Sequence, residues 1–188
     1  MRVAGLIIAG GKSSRMGQPK HSVQFSGKYL INHVFDRLKN QVDRVFININ
    51  DDNNNIDLGT KIIKDKTNAY QGPLAGLQAG LGQIDSQWLQ IAPCDTPFLP
   101  LNLTKTLFAT LKKSDKLIIV PSSGNRIHPT LGLIHESVLP LLNDFLNKGH
   151  RGFIHFIEYV GYQEVPFQDE KAFININTIN ELKKYEKN

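Results

Sequence analysis

The sequence predicts an α/β fold, a mostly parallel sheet with helices on both faces. Three observations carry this. Short apolar runs alternate with segments whose apolar residues recur at helical spacing, the mark of βαβ units. The first run, Val3-Ala4-Gly5-Leu6-Ile7-Ile8-Ala9, is nearly continuous, as a strand buried on both faces requires. It ends in Gly10-Gly11, and in open sheets of this class ligands bind beyond the carboxyl ends of the strands.

The elements follow in order. After the strand at residues 3–9, Leu30, Ile31, Val34, Phe35 and Leu38 recur with helical period and predict a helix over residues 29–40. Residues 44–49, rich in β-branched and aromatic side chains, form a second strand. The polar loop Asp51-Asp52-Asn53-Asn54-Asn55 separates it from a short strand at 61–64. Residues 74–84 are helical, with Pro73 in the first turn, where a missing N–H is harmless. A strand at 88–92 is stopped by Pro93. A helix at 103–111, strands at 117–120 and 130–134, and helices at 137–147 and 151–159 come next. Short strands at 163–167 and 173–176 precede a terminal helix at 178–187, with Thr178 as N-cap and Glu181 completing a capping box. No repeat or linker divides the chain, so residues 1–188 read as a single domain. The strand-end rule places functional residues in the segments that start at Gly10, Asn48, Asp65 and Asp95.

The 188 residues suffice for a full hydrophobic core. Cys94 is the only cysteine. That excludes an internal disulfide and CxxC metal ribbons, and it suits a reducing cytosol. The short apolar start carries neither a signal peptide nor a membrane span, so the chain reads as cytoplasmic and complete. The net charge is +5, with Lys and Arg scattered rather than in blocks. This speaks against a nucleic-acid tail, while a modest positive balance suits polyphosphate ligands.

Three segments carry chemistry. The first strand runs into Gly10-Gly11-Lys12-Ser13-Ser14-Arg15-Met16-Gly17-Gln18-Pro19-Lys20. This is neither GxGxxG nor a P-loop, since Gln18 stands where the P-loop lysine would be. Glycines still let backbone N–H groups approach an anion, Arg15 can fork onto phosphate oxygens, and Lys20 supplies a compact cation. The second segment is Pro93-Cys94-Asp95-Thr96-Pro97. It places an acid at a strand's carboxyl end between two prolines that stiffen the backbone. Asp95 reads either as a magnesium ligand or as a turn-forming aspartate. Cys94 reads as a packed thiol rather than a nucleophile. The third, Gly72-Pro73-Leu74-Ala75-Gly76, opens a helix with small residues that permit close backbone approach. His21, His33, His135, His150 and His155 show no metal-binding spacing.

In this order the segments resemble the molybdenum cofactor guanylyltransferases of the MobA type. The likeness rests on Ile8-Ala9-Gly10-Gly11 through Lys20, Asn48, Asp65, the Gly72 and Pro93 segments, His128-Pro129-Thr130 and Asn175-Ile176-Asn177-Thr178. It spans essentially the whole chain. The first motif and the Gly72 segment are shared with other nucleotidyltransferases, while Pro93–Pro97, His-Pro-Thr and Asn-x-Asn-Thr narrow the match. Two positions depart from the pattern: only Gln18-Pro19 separates Gly17 from Lys20, and Ile179 stands where the family often has proline.

The resemblance implies the three-layer, Rossmann-like fold of the nucleotide-diphospho-sugar transferases and a magnesium-dependent transfer of GMP from GTP to the phosphate of molybdopterin. By the same resemblance, Ile8, Ala9, Gly10 and Gly11 hold the nucleotide. Lys20 and Arg15 meet its phosphates, Asn48 and Asp65 occupy GTP-binding positions, and Asp95 binds Mg²⁺. His128, Arg151 and Asn177 are candidates for the acceptor side. Molybdoenzyme apoproteins are the implied recipients of the product; neither nucleic acid nor membrane is an expected partner. A cytidylyltransferase on the same cofactor, a sugar-phosphate nucleotidyltransferase and a non-catalytic delivery module are the alternatives.

Overall fold

The computed structural model of the chain describes residues 2–10, 16, 18–51, 56–65 and 72–186. At its centre is β1 (Val3–Ile8), paired in parallel with β4 (Arg44–Asn48) on one side and β6 (Trp88–Pro93) on the other. Successive side chains of a strand face opposite ways. Accordingly Leu6 and Ile8 enter one core, while Ile7 and the following Ala9 enter another. That two-sided burial is why the sequence shows a continuous apolar run instead of alternation.

Beyond β4 lies β5 (Lys61–Ile63), also parallel. Beyond β6 the sheet becomes mixed. There β9 (Leu133–His135) runs antiparallel to both β6 and β7 (Ile118–Ser123). The edge strand β10 (Gln163–Phe167) is parallel to β7, and the two-residue β8 (Arg126–Ile127) folds back onto β7. The strand order is β10-β7-β9-β6-β1-β4-β5. Because the chain adds β4 and β5 on one side of β1 and then returns to add β6 on the other, the order reverses at β1, where such sheets open a ligand crevice.

Helices α2 (Pro73–Gln83), α4 (Leu139–Asn147) and α5 (Phe153–Val160) cover the face that receives Leu6. Helices α1 (Leu30–Leu38) and α3 (Leu103–Thr110) cover the face that receives Ile7. On α1 the buried residues are Leu30, Ile31, Val34 and Leu38, the stripe visible in the sequence. The expected three-layer α/β architecture is therefore present. The last helix, α6 (Ile179–Glu186), buries none of its own residues. It leans Leu182 and Tyr185 on a small third core of Met16, Val23, Phe25, Leu30 and Ile176. Phe25 belongs to a hairpin of β2 (Gln24–Phe25) and β3 (Lys28–Tyr29).

Several local expectations are corrected. Residues 173–176 are not a strand. A 3-10 turn, Glu170–Phe173, is followed by a segment outside the sheet whose Ile176 N–H donates to the Asp95 carbonyl at 2.8 Å. The segment lies against the turn after β6 and so finds no ladder. Residues 129–131 form a 3-10 turn instead of starting β9, because Pro129 has the fixed φ that suits a first helical position. The strand expected at 117–120 continues to Ser123 and turns into β8 through Gly124, at φ +53°. The β2–β3 hairpin was not foreseen; Ser26 and Gly27, at φ 46° and 78°, make its two-residue turn.

Candidate active site

The segments expected to carry function all begin at strand ends. Ala9 and Gly10 follow β1, Asn48 ends β4, Asp65 comes just after β5 and Asp95 just after β6. The chain leaving β1 is tied to both neighbours. The Ala9 N–H donates to the Asn48 carbonyl at 2.9 Å, and the Cys94 N–H donates to the Ile8 carbonyl at 3.1 Å. Main chain from three strands thus meets at one place.

Lys20 reaches this place from a 3-10 turn, Lys20–Ser22, that Pro19 introduces with φ −57°. Its ammonium donates to Asp95 Oδ2 and, at 2.6 Å, to the side-chain oxygen of Asn177. The Lys20 side chain is 25% exposed and that of Asp95 6% exposed. A carboxylate so enclosed needs a cation, and Lys20 supplies it. Asp95 Oδ1 is buried and accepts no hydrogen bond from the described residues. That oxygen fits a divalent cation. Among the described residues no group of three or more His, Cys, Asp or Glu could hold a metal. A cation at Asp95 would therefore find few further His, Cys, Asp or Glu ligands among the described residues, a number that suits a hard divalent ion such as Mg²⁺. Next door, burial pushes the Cys94 thiol well above its ordinary pKa, and the Asp95 charge adds to the shift. The thiol stays protonated and is not a nucleophile.

On the other side of β1 a polar cluster closes the ends of β4 and β5. The Asn48 amide donates to the Ile63 carbonyl at 3.2 Å and to Asp65 Oδ1 at 2.8 Å. Asn48 is buried, and Gly76 explains how it fits: a Cβ there would stand 2.3 Å from Asn48 Oδ1. The close approach suggested by Gly72–Gly76 is thus made to Asn48. Asn50 completes the cluster. Its amide donates to Asp65 Oδ2 at 2.7 Å, and its side-chain oxygen accepts the Asp65 N–H at 2.9 Å.

Toward β7 lies a polar cleft of about 800 Å³, lined by Ser123 to Arg126, His128, Glu170, Lys171, Phe173 to Asn175, Asn177 and Glu181. His128 stacks on Phe173 with centroids 4.5 Å apart, and its Nε2 is 2.8 Å from the Ser123 hydroxyl. Burial, and then the nearby Arg126 charge, hold the imidazole below its ordinary pKa. Asn177 lines the cleft while binding Lys20, so the cleft abuts the Lys20–Asp95 pair.

The structure therefore brings together Ile8, Ala9, Gly10, Lys20, Asp95 and Asn177, sets Asn48 and Asp65 beside them, and puts His128 in the adjoining cleft. Arg151 is not among the residues lining that cleft. Its guanidinium donates to the Leu146 and His150 carbonyls at 2.8 and 2.6 Å, beside the C-terminus of α4. Gly11 and Arg15 lie outside the described residues. The polar stretch at residues 122–126, read from the sequence as a loop that could receive the acceptor, supplies Ser123 to Arg126 to the cleft, while sequence reasoning missed Asn50 and the contact of Asn175, whose side-chain oxygen accepts from the Thr96 hydroxyl at 2.9 Å. A signal existed for Asn50: it follows Asn48 by two residues at a strand end, so the two share a face.

Comparison with known proteins gives this arrangement its context. The profile of the MobA-like NTP transferase domain matches residues 5–164. The chain belongs to this family. Two relatives of the MobA-like chain are called molybdenum cofactor guanylyltransferase. The one from Aliivibrio salmonicida (strain LFI1238) is 38% identical over 96% of this chain and 93% of its own. The one from Serratia proteamaculans (strain 568) is 36% identical over 94% and 90%. Solved structures share the fold. Molybdopterin-guanine dinucleotide biosynthesis protein A from Archaeoglobus fulgidus matches with a TM-score of 0.82 at 24% identity, covering 98% of this chain and 97% of that one. A 2-C-methyl-D-erythritol 4-phosphate cytidylyltransferase from Thermus thermophilus matches with a TM-score of 0.74 at 14% identity, covering 100% and 98%. As a MobA-like NTP transferase the chain is an enzyme of the nucleotidyltransferase class.

Proposed function

We propose that the enzyme transfers the GMP unit of GTP to the phosphate of molybdopterin, forming molybdopterin guanine dinucleotide and pyrophosphate. One observation carries the reading: the Lys20–Asp95–Asn177 cluster stands between the polar cluster at β4 and β5 and the cleft at β7. Such an arrangement suits base, phosphates and acceptor laid in that order along the strand ends. The relatives' name, molybdenum cofactor guanylyltransferase, supports a guanylyl donor and this cofactor as acceptor.

In this reading the backbone of Ile8, Ala9 and Gly10 cradles the nucleotide, and Asn48 and Asp65 hold its nucleoside end. Lys20 sits where negative charge gathers on the departing pyrophosphate. Arg15 and Gly11 join it, as the resemblance implies. The acceptor needs no side chain to activate it, because a phosphate monoester is already anionic near neutral pH. The work of the chain is to align this anion with the α-phosphorus and to screen the charges. His128 and Asn177 receive the acceptor in the cleft, where Arg126 and Lys171 offset its charge. Asp95 would hold the divalent metal, Mg²⁺, and the metal would supply charge neutralisation at the phosphates. The product passes to molybdoenzyme apoproteins, and the protein works in the cytoplasm. No helix among the described residues is long and apolar enough to cross a membrane.

The test is pyrophosphate release from Mg-GTP with and without molybdopterin, with CTP and ATP run in parallel. Release that needs molybdopterin and favours GTP is the expected result, together with loss of turnover in Asp95→Ala while the melting transition persists. Release that ignores molybdopterin, or that favours CTP, overturns the reading.

A further inference from the structure

We propose that Asn50 is a positioning residue for base selection, setting the carboxylate of Asp65 to receive the two N–H donors of a guanine edge. The inference rests on the guanylyl-transfer reading and goes beyond it by naming how the base is chosen.

The observation is a closed arrangement of three side chains. Asp65 follows β5 and is half-buried. Its Oδ1 accepts from Asn48 at 2.8 Å and its Oδ2 from Asn50 at 2.7 Å. The backbone N–H of Asp65 donates back to Asn50 at 2.9 Å. Asn50 therefore binds the residue at both ends, fixing the main chain and the side-chain rotation together. Asn48 fixes the other oxygen, and is itself held by the Ile63 carbonyl and by the narrow space at Gly76.

A free aspartate on a loop would rotate about two side-chain bonds. Here the plane of the carboxylate is set before any ligand arrives, which removes an ordering penalty from binding. A carboxylate has about four acceptor directions. The two amides take one on each oxygen, leaving each oxygen a second. That is the pattern a guanine edge needs: parallel donors at N1 and at the exocyclic amine, received as a fork. Hypoxanthine keeps the N1 donor and lacks the amine. Adenine presents an N1 lone pair, which a carboxylate repels. Buried or half-buried polar groups left unpaired by the wrong base are the strongest source of discrimination available to such a site. The location agrees, since Asn48 Oδ1 is within 4.0 Å of where a Cβ on Gly10 would stand, beside the backbone that leaves β1.

The experiment measures binding of GTP, ITP and ATP by calorimetry and steady-state kinetics with GTP and ITP, for the wild type, Asn50→Ala and Asn50→Asp. Asn50→Ala removes both contacts. Asn50→Asp keeps an acceptor for the Asp65 N–H, withdraws the donor to the carboxylate and sets a second carboxylate against it. We expect the GTP dissociation constant and KM to rise roughly tenfold in Asn50→Ala, the loss of one charge-assisted hydrogen bond's ordering, and further in Asn50→Asp, where the two carboxylates repel. The GTP-to-ITP preference falls toward unity, and kcat at saturating GTP stays within about twofold, the mark of lost uniform binding. Melting curves identify folded protein; Asn50 is exposed, and if Asn50→Ala fails to fold, Asn50→Asp alone decides. An unchanged GTP-to-ITP preference in folded Asn50→Asp overturns the proposal. Wild type that binds ATP as well as GTP would instead defeat the guanylyl-transfer reading, so the two failures differ.

Discussion

Among the described residues Lys20 binds groups of different kinds, a carboxylate and an amide oxygen, and the difference sets what its removal does. Without Lys20 the Asp95 carboxylate, 6% exposed, keeps no described cation, and breaking an enclosed pair from one side leaves an uncompensated charge. Lys20→Ala should therefore lower kcat by roughly 10²–10³, the effect of removing one preorganised donor, and lower the melting temperature as well. Lys20→Arg should not restore the rate, because a planar fork cannot replace a point charge held between two oxygens at this spacing. A variant with wild-type kcat would remove Lys20 from the chemistry. Cys94 makes the opposite prediction. It is 3% exposed, and burial with the Asp95 charge raises its pKa, so almost no thiolate exists at neutral pH. Native protein incubated with iodoacetamide near neutral pH should keep its activity and stay unalkylated by mass spectrometry. Rapid labelling would contradict that burial.

At the scale of elements, α2 is the piece whose small residues decide the site. Gly76 and Gly80 lie one turn apart, and added Cβ atoms would meet Asn48 Oδ1 at 2.3 Å and a Leu6 methyl at 2.5 Å. The helix thus rides close to β1 and β4 because it lacks side chains there. Gly76→Ala should push Asn48 off its rotamer, destabilise the protein by about 1–3 kcal/mol as overpacking does, and raise KM for GTP more than it lowers kcat. A melting temperature and KM equal to wild type would show that Asn48 has room to move. This close packing was legible in the sequence only as a permission, since Gly72-Pro73-Leu74-Ala75-Gly76 says that something approaches but not what. The strand ends were legible outright, because continuous apolar runs such as residues 3–9 stop at a definite residue. The segment at 173–176 misled. Its Phe-Ile-Asn-Ile run has the aromatic and β-branched residues of a strand, yet its partners are Asp95 and Thr96 at a turn, which no local pattern reveals. Asn50 was passed over for a similar reason, since an exposed asparagine beside a polar run looks like loop until its partner fifteen residues on is known.

Across the whole molecule, polar residues enclosed at the strand ends are stabilised only in the right protonation state, and two histidines make this testable. His21 is buried beside Lys20, and His128 stacks on Phe173 in the cleft. Burial lowers both below the ordinary histidine value of 6.5; Asp51, 3.8 Å from His21, partly opposes the shift, and Arg126 adds to it at His128. In the folded protein both rings are therefore neutral at pH values where an unfolded chain has begun to take up protons. Between 6.5 and the lowered folded values the unfolded state binds more protons, and linkage then requires stability to fall as pH falls. Well above 6.5 neither state is protonated at these rings, and their contribution is level. The melting temperature should hold steady from about pH 8 to pH 7 and decline from about pH 6.5 toward pH 5, in the range where no carboxylate has yet been neutralised in bulk. His128→Asn, which removes one titrating ring and keeps a polar partner for Ser123, should decline less steeply over the same interval. Equal slopes in the two proteins would mean that the His128 ring protonates as readily in the folded cleft as in water, and that its neutral contact with Ser123 does not persist there.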